Sequence, residues 1–311
     1  MFGPISLVAI SRRTGDQRAT QAVSMLNVNI FCFFASYLVA FGLELTRLRG
    51  WTRFGRWLTL GFATAGFFAH TMYLLSRAGE TQLPPLLSSP QDWLLVLTWM
   101  VVATYVLLSW IDGSLGAGLL VLPTVLLVTA AAWFVRASPE VTNAAPRSWT
   151  MLHVSLLVLG TLGVLSGFLI SLMYLWQHWR LKHVRQGQTG LTLPSLERLE
   201  RLNRIAVMSA VPLFTLGLLT GIILTTMSSR VSGYSPWTDP LAIVGITGWG
   251  VLCALFAKMA RAQHHPGRRV AWLTVWSCGF LLLAFVGIQV VTSQMKVYAR
   301  HGTGLTREVA P

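Results

Sequence analysis

Apolar residues occur along the chain in long runs that short polar segments separate. A helix needs roughly 20 apolar residues to cross the hydrocarbon core of a bilayer, and about eight runs approach that length. None shows the alternation of apolar and polar residues that is typical of barrel strands. The pattern predicts an all-α, polytopic integral membrane bundle of about eight transmembrane helices, at residues 25–47, 56–77, 92–112, 115–136, 150–176, 205–228, 241–260 and 271–293.

The predicted helices form one transmembrane bundle over residues 25–293, between an N-terminal tail at 1–24 and a C-terminal tail at 294–311. We find no internal repeat and no soluble domain. In the fifth connection, Pro194 and Ser195 precede a stripe of leucines with charged residues elsewhere around the helix. This pattern predicts an amphipathic interfacial helix that leads into the sixth span.

The composition excludes an ordinary soluble protein, because 54% of the residues are hydrophobic and only 11% are charged. A net charge of +14 would indicate nucleic-acid binding in a soluble chain. Here the basic residues lie between the apolar runs, so the lipid bilayer is the expected partner and nucleic acid is not.

Basic residues also predict the orientation, since short cytoplasmic loops carry an excess of lysine and arginine. The connections between spans one and two, five and six, and seven and eight contain most of them, whereas the opposite connections contain few. We therefore expect these three connections, and with them the connection between spans three and four, to face the cytoplasm and both termini to lie outside.

Ionisable and aromatic residues near the outer surface are the candidates for chemistry. His153 lies at the outer end of the fifth span, and His301 follows the eighth span on the same side. The outer connection between spans six and seven contains Trp237 and Asp239, and Trp249 follows in span seven. Two neutral imidazoles can ligate haem iron axially, and an aromatic loop can cover the porphyrin.

Other interpretations of each residue stay open. A single histidine in a membrane helix is more often a hydrogen-bonding residue between helices, and Trp237 also fits the aromatic belt at a membrane surface. His70, in the outer half of the second span, is a secondary cofactor-binding candidate. The sequence contains none of the familiar hydrolase or phosphate-binding motifs, so hydrolase chemistry is not supported and we predict no catalytic residue.

The sequence around these residues resembles the membrane cytochrome c assembly family, which includes CcmC, CcsA and the HemX-like proteins. Two stretches carry the resemblance: Leu152-His153-Val154-Ser155, which continues through Ser166-Gly167-Phe168, and Pro212-Leu213-Phe214-Thr215-Leu216-Gly217 with Gly221. The similarity extends over roughly residues 50–303. Val244 stands at one tryptophan position of the family's outer loop, and Ala257 or a neighbour stands at a CcsA-type histidine position. The chain is thus most similar to divergent CcsA or HemX-like members.

The resemblance implies a haem site made of an outer loop and two external histidines. His153 and His301 would be the axial ligands of the iron, and Trp237 and Asp239 would contact the haem. Trp249 keeps the spacing of a later family tryptophan. The implied partners are haem, apocytochrome c and other cytochrome c assembly proteins, and the implied location is the bacterial inner (plasma) membrane.

Three functional hypotheses follow from these observations. The first is a chaperone that presents haem at the outer face for attachment to apocytochrome c. The second is a HemX-like regulator of tetrapyrrole synthesis that acts through cytoplasmic loops. The third is a transporter of another small molecule, which would predict discontinuous spans or inverted repeats.

Overall fold

Eight α-helices make up the described part of the chain. The computed structural model describes residues 29–47, 53–81, 84, 86, 89–111, 116–135, 147–183, 194–232, 240–261 and 267–294, and these residues contain no strand. The helices are α1 (Ile30–Arg47), α2 (Arg53–Thr81), α3 (Pro90–Ile111), α4 (Gly118–Phe134), α5 (Arg147–His183), α6 (Leu196–Ser232), α7 (Pro240–Arg261) and α8 (Gly267–Gln294). The predicted all-α bundle is confirmed, and the chain is an integral membrane protein.

The helices differ in how they match the thickness of a bilayer. Six are long and apolar enough to cross it, whereas the apolar parts of α1 and α4 are shorter, at Ile30–Thr46 and Gly118–Phe134. Helices α5 and α6 contain 37 residues each, or about 55 Å at 1.5 Å per residue, which exceeds a whole bilayer. The predicted spans 150–176 and 205–228 cover only their apolar centres.

The segment predicted as an interfacial helix is the beginning of α6 and continues into the membrane without a break. Ser195 caps this helix, because the backbone N–H of Arg198 donates a hydrogen bond to its hydroxyl oxygen over 3.3 Å. Leu199 is buried at the start of α6, and Ile205 is exposed. The leucine stripe therefore packs against the bundle for two turns before α6 presents apolar residues to lipid.

Two rings of four helices lie side by side. Helix α1 packs on α2 and α4, and α3 packs on the same two helices. In the second ring, α5 packs on α6 and α8, and α7 packs on the same two. Helices α5 and α8 also contact the first ring, and the rings of Trp93 and Phe285 lie 5.0 Å apart across this junction.

Successive helices run in opposite directions, so the helix ends form two groups. Arg77 near the end of α2 contacts Asp92 near the start of α3, and the start of α8 at Gly267 lies beside Glu200 in the first turn of α6. We call one group the basic end, after its exposed residues Lys182, Arg198, Arg201, Arg204, Lys258, Arg261, Arg268 and Arg269. The opposite end is where α1, α3, α5 and α7 begin.

Two buried carboxyl groups lie at helix starts. A Cβ added to Gly118, the first residue of α4, would lie 3.1 Å from the carboxyl carbon of Glu44. Asp92 accepts a hydrogen bond from the Ser89 hydroxyl over 2.8 Å at the start of α3, and the Asp92 carboxylate lies 3.4 Å from the Arg77 side chain. Helix starts stabilise negative charge, so both acids have structural roles.

Helices α5 and α6 approach each other closely along small residues. A Cβ added to Gly163 would lie 2.9 Å from the Cβ of Ala210, and one added to Gly160 would lie 2.6 Å from the Phe214 ring. Glycine at these positions lets the two helices pack closely, as is common in membrane proteins. This contact sets the register between α5 and α6, and the register positions His153.

Candidate functional site

His153 lies near the start of α5, at the opposite end of the bundle, and faces α6. Its side chain is buried. The ring nitrogen Nδ1 lies 2.8 Å from the backbone carbonyl oxygen of Gly217 and 3.3 Å from the hydroxyl oxygen of Thr220. Groups on α6 therefore hold the imidazole.

These contacts define which ring nitrogen carries the proton. The Gly217 carbonyl can only accept a hydrogen bond. The Thr220 hydroxyl donates its one hydrogen to the α6 carbonyls of Gly217 and Leu216, which lie 2.8 and 3.0 Å away, so its oxygen acts as an acceptor for the ring. Nδ1 therefore bears a hydrogen, and in the neutral imidazole Nε2 is the nitrogen with the lone pair that can bind a metal. A backbone carbonyl that fixes the non-ligating nitrogen in this way is a common feature of metal-binding histidines.

Gly221 provides the space for the imidazole. A Cβ at this position would lie 2.8 Å from Cε1 of His153 and 3.3 Å from Nδ1, closer than carbon atoms pack. Gly217 is equally constrained, since its added Cβ would lie 2.7 Å from a methyl carbon of Leu157. Both glycines belong to the stretch that resembles the assembly family, and the structure shows why a larger residue would not fit at either position.

Trp249 reaches the same part of α6 from the other side. Its indole N–H donates a hydrogen bond to the Thr215 hydroxyl over 2.9 Å. Thr215 lies two residues before Gly217, so His153 on α5 and Trp249 on α7 contact neighbouring turns of α6. The structure thus brings two of the predicted site residues to one short segment.

His70 lies in the other ring of helices. Its imidazole stacks on the Phe33 ring at 4.1 Å with the planes 1° apart, and the Tyr37 hydroxyl lies 3.3 Å from Nδ1. The side chain is fully buried, and its Nε2 has no hydrogen-bond partner among the described residues. These contacts join α1 to α2 and do not place His70 with His153.

The other predicted site residues, Trp237, Asp239 and His301, lie outside the described residues. Trp237 and Asp239 belong to the connection between α6 and α7, and His301 follows α8. Their roles stay predictions.

The predicted site residues do not include Thr220, and the sequence pattern identifies Trp149 only as a residue of the aromatic belt at the membrane surface. Thr220 is 67 positions from His153, and only the packing of α5 on α6 brings them together. Trp149 lies one helical turn before His153, on the same side of α5, and its side chain is exposed. Its spacing of four residues from His153 was the available signal.

The chain matches a known protein family. Neither curated proteins nor solved structures match the chain significantly. The model of the family described as "Cytochrome C assembly protein" matches residues 87–296, which is more than half of the chain and includes α3 to α8. The segment that holds His153, Thr220 and Trp249 falls within this match, so the chain belongs to the cytochrome c assembly protein family.

Proposed function

We propose that this protein binds haem at the end of the bundle opposite the basic end and presents it for attachment to apocytochrome c. Membership of the cytochrome c assembly family supports a haem-related role in cytochrome c biogenesis. The observation that carries the proposal for this chain is the bonding of His153, whose Nδ1 faces two acceptors on α6. Nε2 is then the nitrogen that offers a lone pair to iron.

The proposed haem site combines residues of the described helices with residues that lie outside the described part of the chain. His153 and His301 would bind the iron from its two sides, and Trp237 and Asp239 would contact the haem from the connecting segment. Trp249 packs beside the same α6 segment. Haem brings its own four nitrogen ligands, so the chain needs to supply only axial ligands and apolar cover.

The side chain of His153 is held in place before haem binds. The ring is buried between two helices and its orientation is fixed before any cargo arrives, so little side-chain entropy is lost on binding. The protein itself makes no covalent bond to the haem in this proposal. The thiols that form the thioether bonds come from apocytochrome c, and other assembly proteins deliver or reduce that partner.

We further propose that the basic end faces the cytoplasm and that the membrane is the bacterial inner membrane. The exposed arginines and lysines of that end follow the rule for cytoplasmic segments. His153 would then lie at the outer face, where c-type cytochromes mature.

The proposal is tested by measuring covalent haem on c-type cytochromes in cells whose maturation depends on this chain. His153→Ala should reduce haem-stained cytochrome c at least tenfold at unchanged membrane abundance, because it removes the axial nitrogen. Leu152→Ala is the matched control, since Leu152 is the preceding residue of α5 and is exposed. Wild-type levels of haem-stained cytochrome in the His153→Ala cells would exclude the proposed role.

A regulatory role is the second candidate, and one observation favours it. Arg198, Arg201 and Arg204 are all exposed on the first turns of α6, where they offer a basic surface to a tetrapyrrole-synthesis enzyme. Replacing all three by alanine would then change the abundance of that enzyme and spare cytochrome maturation. The transporter hypothesis has less support, because each described helix is continuous between its bounds, including α6 around Pro212.

A further inference from the structure

A second cluster of buried polar side chains lies between α5, α6 and α8, nearer the basic end. Asn203 on α6 and Thr274 on α8 are buried, and the Asn203 amide nitrogen donates a hydrogen bond to the Thr274 hydroxyl oxygen over 3.3 Å. The Thr274 hydroxyl in turn donates to the carbonyl oxygen of Val270 over 3.0 Å. This chain of donors fixes the orientation of the Asn203 amide.

The Asn203 carbonyl oxygen, Oδ1, consequently points away from Thr274 and towards α5. A Cβ added to Gly167 on α5 would lie 3.5 Å from it. Oδ1 is buried and has no hydrogen-bond partner among the described residues. An unsatisfied buried acceptor costs about 1–3 kcal/mol, so its environment should contain a donor.

The next polar group on the same side of α5 is also unsatisfied. Ser171 lies one turn after Gly167, is fully buried, and its hydroxyl has no hydrogen-bond partner among the described residues. This is unusual, because a serine within a membrane helix commonly bonds to the carbonyl four residues earlier. Ser171 therefore lies one turn of α5 beyond the glycine that faces Asn203, and each of the two polar residues has an oxygen without a hydrogen-bond partner among the described residues.

Polar groups continue from this junction to the basic end. Tyr174 lies three residues after Ser171, and its hydroxyl and the Glu200 carboxylate lie within 2.6 and 2.7 Å of the position of a Cβ on Gly267. The His178 ring stacks on Tyr174 with centroids 6.3 Å apart, and its buried Nε2 also has no hydrogen-bond partner among the described residues. Glu200 is exposed, so these polar groups extend to the surface of the basic end.

We infer that internal water enters the junction of α5, α6 and α8 from the basic end and hydrogen-bonds to Ser171 and Asn203. Water can donate to both orphaned oxygens and can accept from the serine hydroxyl. A Cβ added to Gly167 would make only ordinary van der Waals contacts, at 3.4 Å from Val207, 3.5 Å from Asn203 Oδ1 and 3.7 Å from Thr274, so the glycine leaves a gap about the size of a methyl group beside Oδ1.

This hydration site is distinct from the site at His153. Asn203 lies about 20 Å along α6 from Gly217, at 1.5 Å per residue. Water in the junction gives solvent access from the basic surface to roughly the first two turns of α6 and the facing turns of α5. The inference does not depend on haem binding.

Thiol reactivity tests this inference with a control that the chain supplies. Cys278 lies one turn after Thr274 on α8, is fully buried like Ser171, and packs among apolar residues. In a background with Cys32→Ser and Cys253→Ser, we would add Ser171→Cys and follow modification of both thiols by methyl methanethiosulfonate, using peptide mass spectrometry. The reagent is small and neutral, but its reaction needs a thiolate, which forms where water can solvate it.

We expect the Ser171→Cys thiol to react at least tenfold faster than Cys278. A rate no faster than that of Cys278, in a preparation where an exposed Ser195→Cys thiol reacts, overturns the inference. If the Ser171→Cys protein does not elute as a folded species, thermal unfolding of Ser171→Ala decides. A lower Tm supports a hydrated hydroxyl, whereas a higher Tm shows that the alanine has removed an unsatisfied group from a dry junction.

Discussion

The orientation of His153 is determined by α6 and not by its own helix. The carbonyl of Gly217 and the hydroxyl of Thr220 fix the ring nitrogens, and Gly221 leaves room for the ring edge. If no other residue held the His153 ring, the ring would have to settle into a single orientation at the moment a ligand binds. His153 adopts it in advance, which is the preorganisation that a ligand site needs.

Gly221→Ala tests this arrangement without changing any polar group. The added methyl would meet Cε1 of His153 at 2.8 Å, so the ring should rotate away from Gly217 and haem affinity should fall at least tenfold. Haem titration of the purified variant, followed by absorption, measures the effect. Gly245→Ala is the control, since a Cβ at Gly245 meets no atom within 4 Å. Equal haem affinity in Gly221→Ala and Gly245→Ala would mean that the position of the His153 ring against α6 does not affect binding.

The sequence indicates which side chains have the chemistry for a site, but it does not indicate which residues they contact. His153 and Trp249 could be selected because an imidazole and an indole near a membrane surface have recognisable chemistry. Thr220 could not be selected, because several threonines of α6 have the same local sequence features and only the register against α5 distinguishes them. The oxygens of Ser171 and Asn203, which have no hydrogen-bond partner among the described residues, could not be identified from sequence either, because the missing partner is a property of the neighbouring helices.

At the scale of elements, the pair α5 and α6 forms the frame of the site. Both helices are 37 residues long, and glycines at their interface bring them together. Along this interface, His153 contacts Gly217 near the start of α5, and Gly167 faces Asn203 nearer the basic end. One helix pair therefore connects the proposed haem site to the proposed hydration site.

Gly163→Ala should loosen this pair. Its Cβ would lie 2.9 Å from the Ala210 Cβ and 3.3 Å from the backbone carbonyl of Ala206, and backbone atoms cannot yield as a flexible side chain does. Overpacking of this kind costs typically about 1–3 kcal/mol, so the Tm in detergent should fall by several degrees. Gly250→Ala, where a Cβ meets nothing within 4 Å, should leave the Tm unchanged, and an equal fall in both variants would contradict the account.

The number and order of helices could be predicted, but the length of α5 and α6 could not. Apolar runs mark the part of a helix that lies in lipid, and the predicted spans 150–176 and 205–228 end where charged residues begin. Helical hydrogen bonds continue through those residues because Ser195 caps α6 and α5 contains no proline. The prediction of a helix leading into span six was correct in position, and the structure shows it as part of α6.

At the scale of the whole molecule, two rings of four helices share a junction made by α5 and α8. The sequence predicts that successive helices are neighbours. It does not reveal the contacts that close each ring, between α1 and α4 and between α5 and α8, because these join helices far apart in the chain. The tails and the connection with Trp237 lie outside the described residues, so the predicted domain limits stay predictions.

The orientation of the whole bundle can be tested with two exposed serines. Ser195 lies at the basic end and Ser148 at the opposite end. In a variant without native cysteines, a membrane-impermeant maleimide should label Ser148→Cys in cells with a permeabilised outer envelope and Ser195→Cys only in inverted membrane vesicles. The reverse pattern would place His153 on the cytoplasmic side and exclude delivery of haem to the outer face.

The central claim is that His153 binds haem iron through Nε2. Its most direct test is the absorption spectrum of the detergent-purified protein after haem is supplied and excess haem is removed, with wild type beside His153→Ala. The account predicts a Soret band with low-spin bis-histidine features in the wild type, and a band lost or shifted in the variant. A folded wild-type protein that retains no haem, or a variant with the same spectrum as the wild type, would contradict it.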